Sequence, residues 1–283
     1  MKKFSESYSN EKTDSVVFSH ELKSNLVKCL DDKEIIKLKE KVNQIVSNDL
    51  INNLNNWYNN YYDKENVEEK AIFKETNFVN KKVLEVGCGT GRITKNLLKK
   101  AKHVTAIDNC KECIDYCKKK IKSKKVDFIE LDVKNVTKLN KKFDIIITSW
   151  IGFSHFKDKP EIIKNLHSCL NKNSTLLIID AFEESEYVKI LNLIEEKKHM
   201  NISNINFLKK TLFDVFNNLE EKIYSTEYLF PDYNALKQYF IIELQYEGNY
   251  KWTDKMEKKL SNYIKTKKNL KINEMFRIIK CYN

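Results

Sequence analysis

The sequence predicts an α/β protein built on a mostly parallel sheet with helices on both faces. Three observations predict it. From residue 81 onward, short apolar runs ending in turn residues alternate with helix-like segments. The runs are apolar throughout, not only at every second position. Three of the five glycines in the 283-residue chain, Gly87, Gly89 and Gly91, gather where the first run ends. Strand–helix alternation is the pattern of a parallel sheet, and continuous apolar strands suit a sheet covered on both sides.

Each element follows from its own pattern. In residues 1–80, KEIIKLKEKVNQIV and DLINNLNNWYNNYY space apolar groups by three and four, with no Pro or Gly to interrupt them, so helices are expected. KVLEVG, HVTAID, VDFIELD, FDIIITSW and STLLIIDAF then read as strands. RITKNLLKK, ECIDYCKKKI and PEIIKNLHSCL read as the helices between them. Before STLL the turn falls on Asn173 and Ser174, and asparagine tolerates the left-handed backbone such a turn needs. EKIYSTEYLF is a further strand, PDYNALKQYFIIELQ and WTDKMEKKLSNYIK are helices, and MFRIIKCYN is the final strand. The chain thus divides into a helical extension (1–78), an α/β core (79–230), a helical insertion (231–270) and a last strand (271–283).

Composition narrows the function. Hydrophobic residues make up 41% of the chain, with 15 Phe and 14 Tyr, enough for a sizeable core. The net charge of +11 lies in the middle block: residues 81–180 carry 22 basic and 11 acidic groups, whereas residues 1–80 carry 12 and 14. Nearly all the basic groups are lysines; Arg92 and Arg277 are the two arginines. Lysine-rich solvated helix faces explain this excess, and without arginine forks nucleic-acid recognition is disfavoured. The polar start MKKFSESYSN lacks a secretory pattern and no apolar run approaches ~20 residues, so a soluble, reduced, cytoplasmic protein off the membrane is expected. Cys110, Cys113 and Cys117 in CKECIDYC fall on one helix face, where thiols behave as small hydrophobes, and no metal site is expected.

A strand ending in Gly-x-Gly-x-Gly and running into a helix gives a ligand close access to backbone N–H groups at the sheet's carboxyl edge. Dinucleotides and S-adenosylmethionine both use such a loop. The dinucleotide spacing needs a third glycine at position 92, which is Arg. VLEVGCGTGRITKNL closely resembles the first motif of class I S-adenosylmethionine-dependent methyltransferases of the small-molecule type, and later segments match in order over residues 80–182. The resemblance implies a Rossmann-like seven-stranded sheet, mostly parallel with an antiparallel last strand. It also implies an enzyme that moves a methyl group from S-adenosylmethionine to N or O of a small metabolite, leaving S-adenosylhomocysteine.

The same resemblance assigns residues. Glu85, Gly87, Gly89 and Gly91 form the turn under the methionyl part of the cofactor, and Arg92 grips its carboxylate, which suits a planar guanidinium. Asp108, with Asn109 beside it, either accepts from the ribose hydroxyls or caps the next helix. Asp132 and Val133 meet the adenine, or Asp132 is a plain turn residue. Ser149 and Trp150 lie where cofactor and acceptor pockets join. His155 is a base or polar anchor, or a packed loop histidine. Asp180, Glu183 and Tyr187 are further candidates near that edge, although EESE at 183–186 reads better as a helix start. Tyr58, Tyr61, Tyr187 and Tyr228 are candidates for the acceptor pocket. The aromatics of WYNNYYD, Trp57, Tyr58, Tyr61 and Tyr62, cap the cofactor and face the acceptor, or pack in the core, since Trp57 and Tyr61 are a helical pair. The expected partner is a small-molecule acceptor, and the expected state a monomer or homodimer. The competing readings are an RNA or protein methyltransferase and a non-catalytic cofactor-binding subunit.

Overall fold

The computed structural model describes residues 51, 52, 55, 58–153, 156–196, 202–246 and 251–283. They fall in one compact unit, Asn48–Asn283. The helices expected before residue 50, and Trp57 and His155, lie outside the described residues.

Five strands and their crossovers build the first part of the sheet: β1 (Lys82–Val86), β2 (His103–Asp108), β3 (Val126–Glu130), β4 (Phe143–Ser149) and β5 (Leu170–Ala181). Between them run α2 (Arg92–Leu97), α3 (Lys111–Lys120), a 3₁₀ helix (Val133–Leu139) and α4 (Lys159–Ser168), and α1 (Val67–Glu75) precedes β1. After β5 come α5 (Glu186–Glu195), α6 (Ile202–Phe213), β6 (Asn218–Leu229), α7 (Tyr233–Tyr246), α8 (Asp254–Lys265) and β7 (Lys271–Tyr282). The seven strands lie in the order β3-β2-β1-β4-β5-β7-β6. β1 to β5 pair in parallel, while β7 is antiparallel to both β5 and β6. The expected antiparallel last strand is therefore present, inserted one place in from the edge.

The apolar runs fill both faces. Val83, Val104, Ala106, Ile145, Ile147 and Ile179 pack under α1, α2 and α3. Their neighbours Leu84, Ile107, Ile146 and Ile178 pack under α4 and α6 on the other side. A third cluster joins α5, α7 and α8 to Tyr62, Tyr228, Phe230 and Ile272 at the β6–β7 end. Asn173 takes the left-handed conformation expected of it (φ 56°), within an irregular stretch of β5 where the pairing with β4 shifts register. Cys113 and Cys117 are buried as expected, but Cys110 stands at the N-cap, its sulfur accepting from Cys113 N at 3.3 Å. Sequence periodicity alone did not reveal α5 and α6, which follow the acidic cluster. Glu186 does open α5, with Ser185 at its N-cap.

Among the described residues, no helix is long and apolar enough to cross a membrane, and no group of three or more His, Cys, Asp or Glu side chains could hold a metal ion.

Candidate active site

The parallel strands end together at one edge, and Glu85, Gly87, Asp108, Asp132, Ser149 and Trp150 stand at or just beyond the ends of β1 to β4. Gly87, Gly89 and Gly91 all have positive φ (75°, 50° and 79°), a conformation that costs an L-residue about 1–2 kcal/mol. The three differ in what surrounds them. A Cβ at Gly87 would stand 2.0 Å from Ile151 Cγ2, and one at Gly91 2.4 Å from Ile121 Cδ1. One at Gly89 would meet nothing within 4 Å. Two glycines therefore let the turn pack on the protein, and the middle one opens to a cradle.

Asp108 sets the height of that cradle. Its Oδ2 accepts from Gly89 N at 2.8 Å and its Oδ1 from Cys110 N at 2.9 Å. The helix cap expected as its alternative belongs instead to Cys110. Asn109 beside it is exposed. Asp132 caps the 3₁₀ helix, accepting from Lys134 N at 2.8 Å, and Val133 next to it is buried.

Glu85 lies beneath the turn, wholly buried. Its Oε2 accepts from Thr94 Oγ1 at 2.6 Å, while its Oε1 has no protein partner. Burial pushes its carboxyl up to about 8, against smaller opposing effects of Thr94 and Arg92. At neutral pH this is a largely protonated acid with a spare oxygen in the turn.

Arg92 opens α2, but its fork is engaged within the chain. Both guanidinium nitrogens donate to Glu68 of α1, NH2 to Oε1 at 3.2 Å, and the rings of Tyr58 and Tyr62 flank it at 5.2 and 5.4 Å. Burial disfavours its charge, yet Glu68 holds it ionised. The same Glu68 Oε1 accepts from Trp150 Nε1 at 2.5 Å. Trp150, at the exit of β4, has φ 56°, a left-handed conformation that costs a bulky residue about 1–3 kcal/mol and persists only where surroundings enforce it. Here the enforcing contacts are Glu68 and a backbone bond from Trp150 N to Ile179 O at 3.0 Å. Ser149, just before it, is buried, and its carbonyl lies 3.4 Å from where a Gly87 Cβ would be.

Beyond Trp150 the expected aromatics meet. Tyr62 packs on Tyr228 at 4.8 Å and on Trp150 at 6.5 Å, Tyr58 on Tyr62 at 5.6 Å, Tyr61 on Phe230 at 5.6 Å, and Tyr187 on Tyr228 at 6.2 Å. A cavity of about 240 Å³, lined by Tyr58, Tyr62, Glu68 and Arg92 among others, lies on the α1–α2 side; none of the three glycines borders it. Asp180 pairs in register with Arg277, and Glu183 forms an ion pair with that arginine. Both are thus engaged across the sheet from Trp150.

Sequence reasoning missed Glu68 and Glu274, and the signal for both lay in the pattern. Glu68 occupies a buried helix stripe with Ala71 and Ile72, and Glu274 a buried strand face between Ile272 and Phe276. An acid on an apolar stripe needs a partner.

A family profile described as "Methyltransferase domain" matches residues 83–173. The 235L protein of Invertebrate iridescent virus 6, whose name assigns it to the methyltransferases, is 29% identical over 52% of this chain and 54% of its own length. The ribosomal RNA small subunit methyltransferase A of Mycoplasma mobile is 28% identical over 70% of this chain and 79% of its own. A solved structure of a Bacillus halodurans protein, assigned as a methyltransferase, has TM-score 0.53 at 16% identity, covering 74% of this chain and 96% of that one. Against the viral relative, the chain spans about half of the relative's length.

Proposed function

We propose that the chain is a class I methyltransferase, which its match to a methyltransferase-domain profile supports, and that it transfers a methyl group from S-adenosylmethionine to nitrogen or oxygen of a small molecule. One observation carries the reading: the glycine turn has room for a ligand at Gly89 alone, over an amide tied to Asp108 and beside a buried Glu85 oxygen that lacks a protein partner. A cradle that a Cβ would fill, next to an unsatisfied polar atom, is what a bound amino-acid moiety would complete.

The sulfonium cofactor supplies an electrophilic methyl group with a good leaving group already attached. The protein's work is alignment and exclusion of water. Glu85, Gly87, Gly89 and Gly91 hold the methionyl end. Asp108 keeps its place against Gly89 N while its carboxylate receives the ribose, with Asn109 beside it, and Asp132 and Val133 bound the adenine. Ser149 and Trp150 separate cofactor from acceptor, and Tyr58, Tyr61, Tyr187 and Tyr228 wall the acceptor side. Arg92 reaches the cofactor carboxylate by exchanging Glu68 for it. His155 is proposed as the base or anchor for an acceptor hydroxyl.

The test is calorimetric binding of S-adenosylhomocysteine and of NAD to the full chain. S-adenosylhomocysteine should bind and raise the melting temperature, and NAD should not. Gly89→Ala should weaken that binding by about tenfold or more while costing about 1 kcal/mol of stability. NAD binding in place of S-adenosylhomocysteine would end the reading. The Mycoplasma mobile relative favours a second one, an RNA acceptor. It predicts RNA affinity that falls steeply with salt.

A further inference from the structure

Cys110 and Cys113 share the first turn of α3 but have different surroundings. Cys110 is the N-cap and partly exposed, and its sulfur accepts from Cys113 N at 3.3 Å. Cys113 is 3% exposed, and its thiol hydrogen-bonds the Cys110 sulfur. The other described cysteines, Cys88, Cys117, Cys169 and Cys281, are all buried. Asp108 fixes the backbone of the pair, its Oδ1 accepting from Cys110 N at 2.9 Å. The Cys110 sulfur is thereby held over the open N–H groups of a 10-residue helix, whose dipole end favours negative charge.

Hydrogen bonds from the Cys113 thiol and backbone N–H hold the Cys110 thiol below its usual range. Burial, Asp108 and Glu112, whose Oε2 lies 3.7 Å from the sulfur, oppose this and are outweighed. Cys113 shifts the other way, raised by its bond to Cys110 and by burial. One thiol is therefore reachable and ready to ionise, while the other stays protonated and sheltered behind it. Packing alone requires neither difference. Helix geometry sets Cα atoms three residues apart about 5 Å from each other, within the ~4.4–6.8 Å that a disulfide spans.

We propose that Cys110 and Cys113 form a thiol–disulfide exchange site that reacts with low-molecular-weight disulfides, Cys110 attacking and Cys113 resolving. The site lies apart from methyl transfer and does not rest on that reading. The Cys110 thiol gives its proton to solvent, and its sulfur bonds to one sulfur of the small disulfide. The old sulfur–sulfur bond breaks with its electron pair on the leaving thiolate, which takes up a proton. Cys113 then loses its proton, attacks the Cys110 sulfur and expels the second thiolate, which is protonated in turn. The two protein thiols are oxidised to one disulfide, and the small disulfide is reduced to two thiols. A disulfide whose opening frees a stabilised thiolate is readily reduced, so a small thiol can return the pair to its starting state.

The test treats the full chain with excess oxidised glutathione and maps its thiols by mass spectrometry. In the wild type, Cys110 and Cys113 should become linked, and reduced glutathione should reopen the bond. Cys113→Ala should stop at a glutathione adduct on Cys110, and Cys110→Ser should lose the reaction at both positions. Iodoacetamide labelling of Cys110 in the wild type should reach half its maximal rate below the pH of ~8.5 typical of a free thiol, and Cys113→Ala should move that midpoint up. Peptide mapping keeps apart Cys29, which lies outside the described residues. The proposal is overturned if Cys110 and Cys113 stay reduced, or if the new bond joins a different pair. A wild-type labelling midpoint at or above ~8.5 overturns it as well. Should a variant fail to fold, the wild-type map and midpoint still decide.

Discussion

Glu85 ties the chemistry of one side chain to the stability of the turn above it. Its folded pKa of about 8 stands above the ordinary 4.5, so the folded state holds a proton that the unfolded chain releases. Its contribution is complete below pH 4.5 and is lost as pH rises through about 8. The melting temperature should fall across that window, and Glu85→Gln, which cannot ionise, should flatten the fall; equal slopes in the two proteins would mean the buried acid does not titrate there. The sequence made Glu85 legible through its place before the glycines. It could not show that Arg92 turns to Glu68, because that pairing depends on α1 docking across a sequence separation of 24. The left-handed Trp150 was equally hidden, since nothing in TSWIGF marks a bulky residue for a conformation that glycine usually takes.

The position of α1 is set by one residue outside it. Asp63 accepts from Val67 N at 2.7 Å and Glu68 N at 2.9 Å, and also from Thr226 Oγ1 of β6 at 2.6 Å. Asn66, at the nominal N-cap, makes no side-chain bond to the helix. At the other end Glu75 receives Tyr224 and Lys222 of β6, whose bonds outweigh burial and hold its carboxyl below the usual range. Asp63→Ala should therefore cost about 1–2 kcal/mol in denaturant unfolding, as loss of a helix cap does. It should also loosen Glu68 against Arg92; a change below about 0.5 kcal/mol would show that α1 is held by its apolar face alone. The helices and strands from 81 to 182 were readable because each carries its own period. Those after Ala181 were less so: α5 and α6 bury their apolar faces against neighbours far off in the chain, and no glycine or proline punctuates them.

Long-range pairing governs the molecule as a whole. Arg277 of β7 is 1% exposed and meets Glu183 from the turn after β5 and Glu221 from β6, with the Phe182 ring 5.0 Å away. Removing its charge while leaving both acids, as in Arg277→Met, should cost about 3–5 kcal/mol, read as a lower urea midpoint. A near-neutral result would mean that the two acids find water. The fold class was visible in the sequence because alternation and burial are local signals. The placing of β7 between β5 and β6 was not, since an apolar strand reads alike at a sheet's edge and inside it. That placing has a consequence during synthesis. Strand β6 leaves the ribosome well before β7, yet apart from a single bridge between Tyr228 and Tyr62 its strand pairing among the described residues waits for residues 271–282 to arrive and join it to β5. Until then the nascent chain presents two open strand edges, the kind of intermediate that invites mispairing and the attention of chaperones.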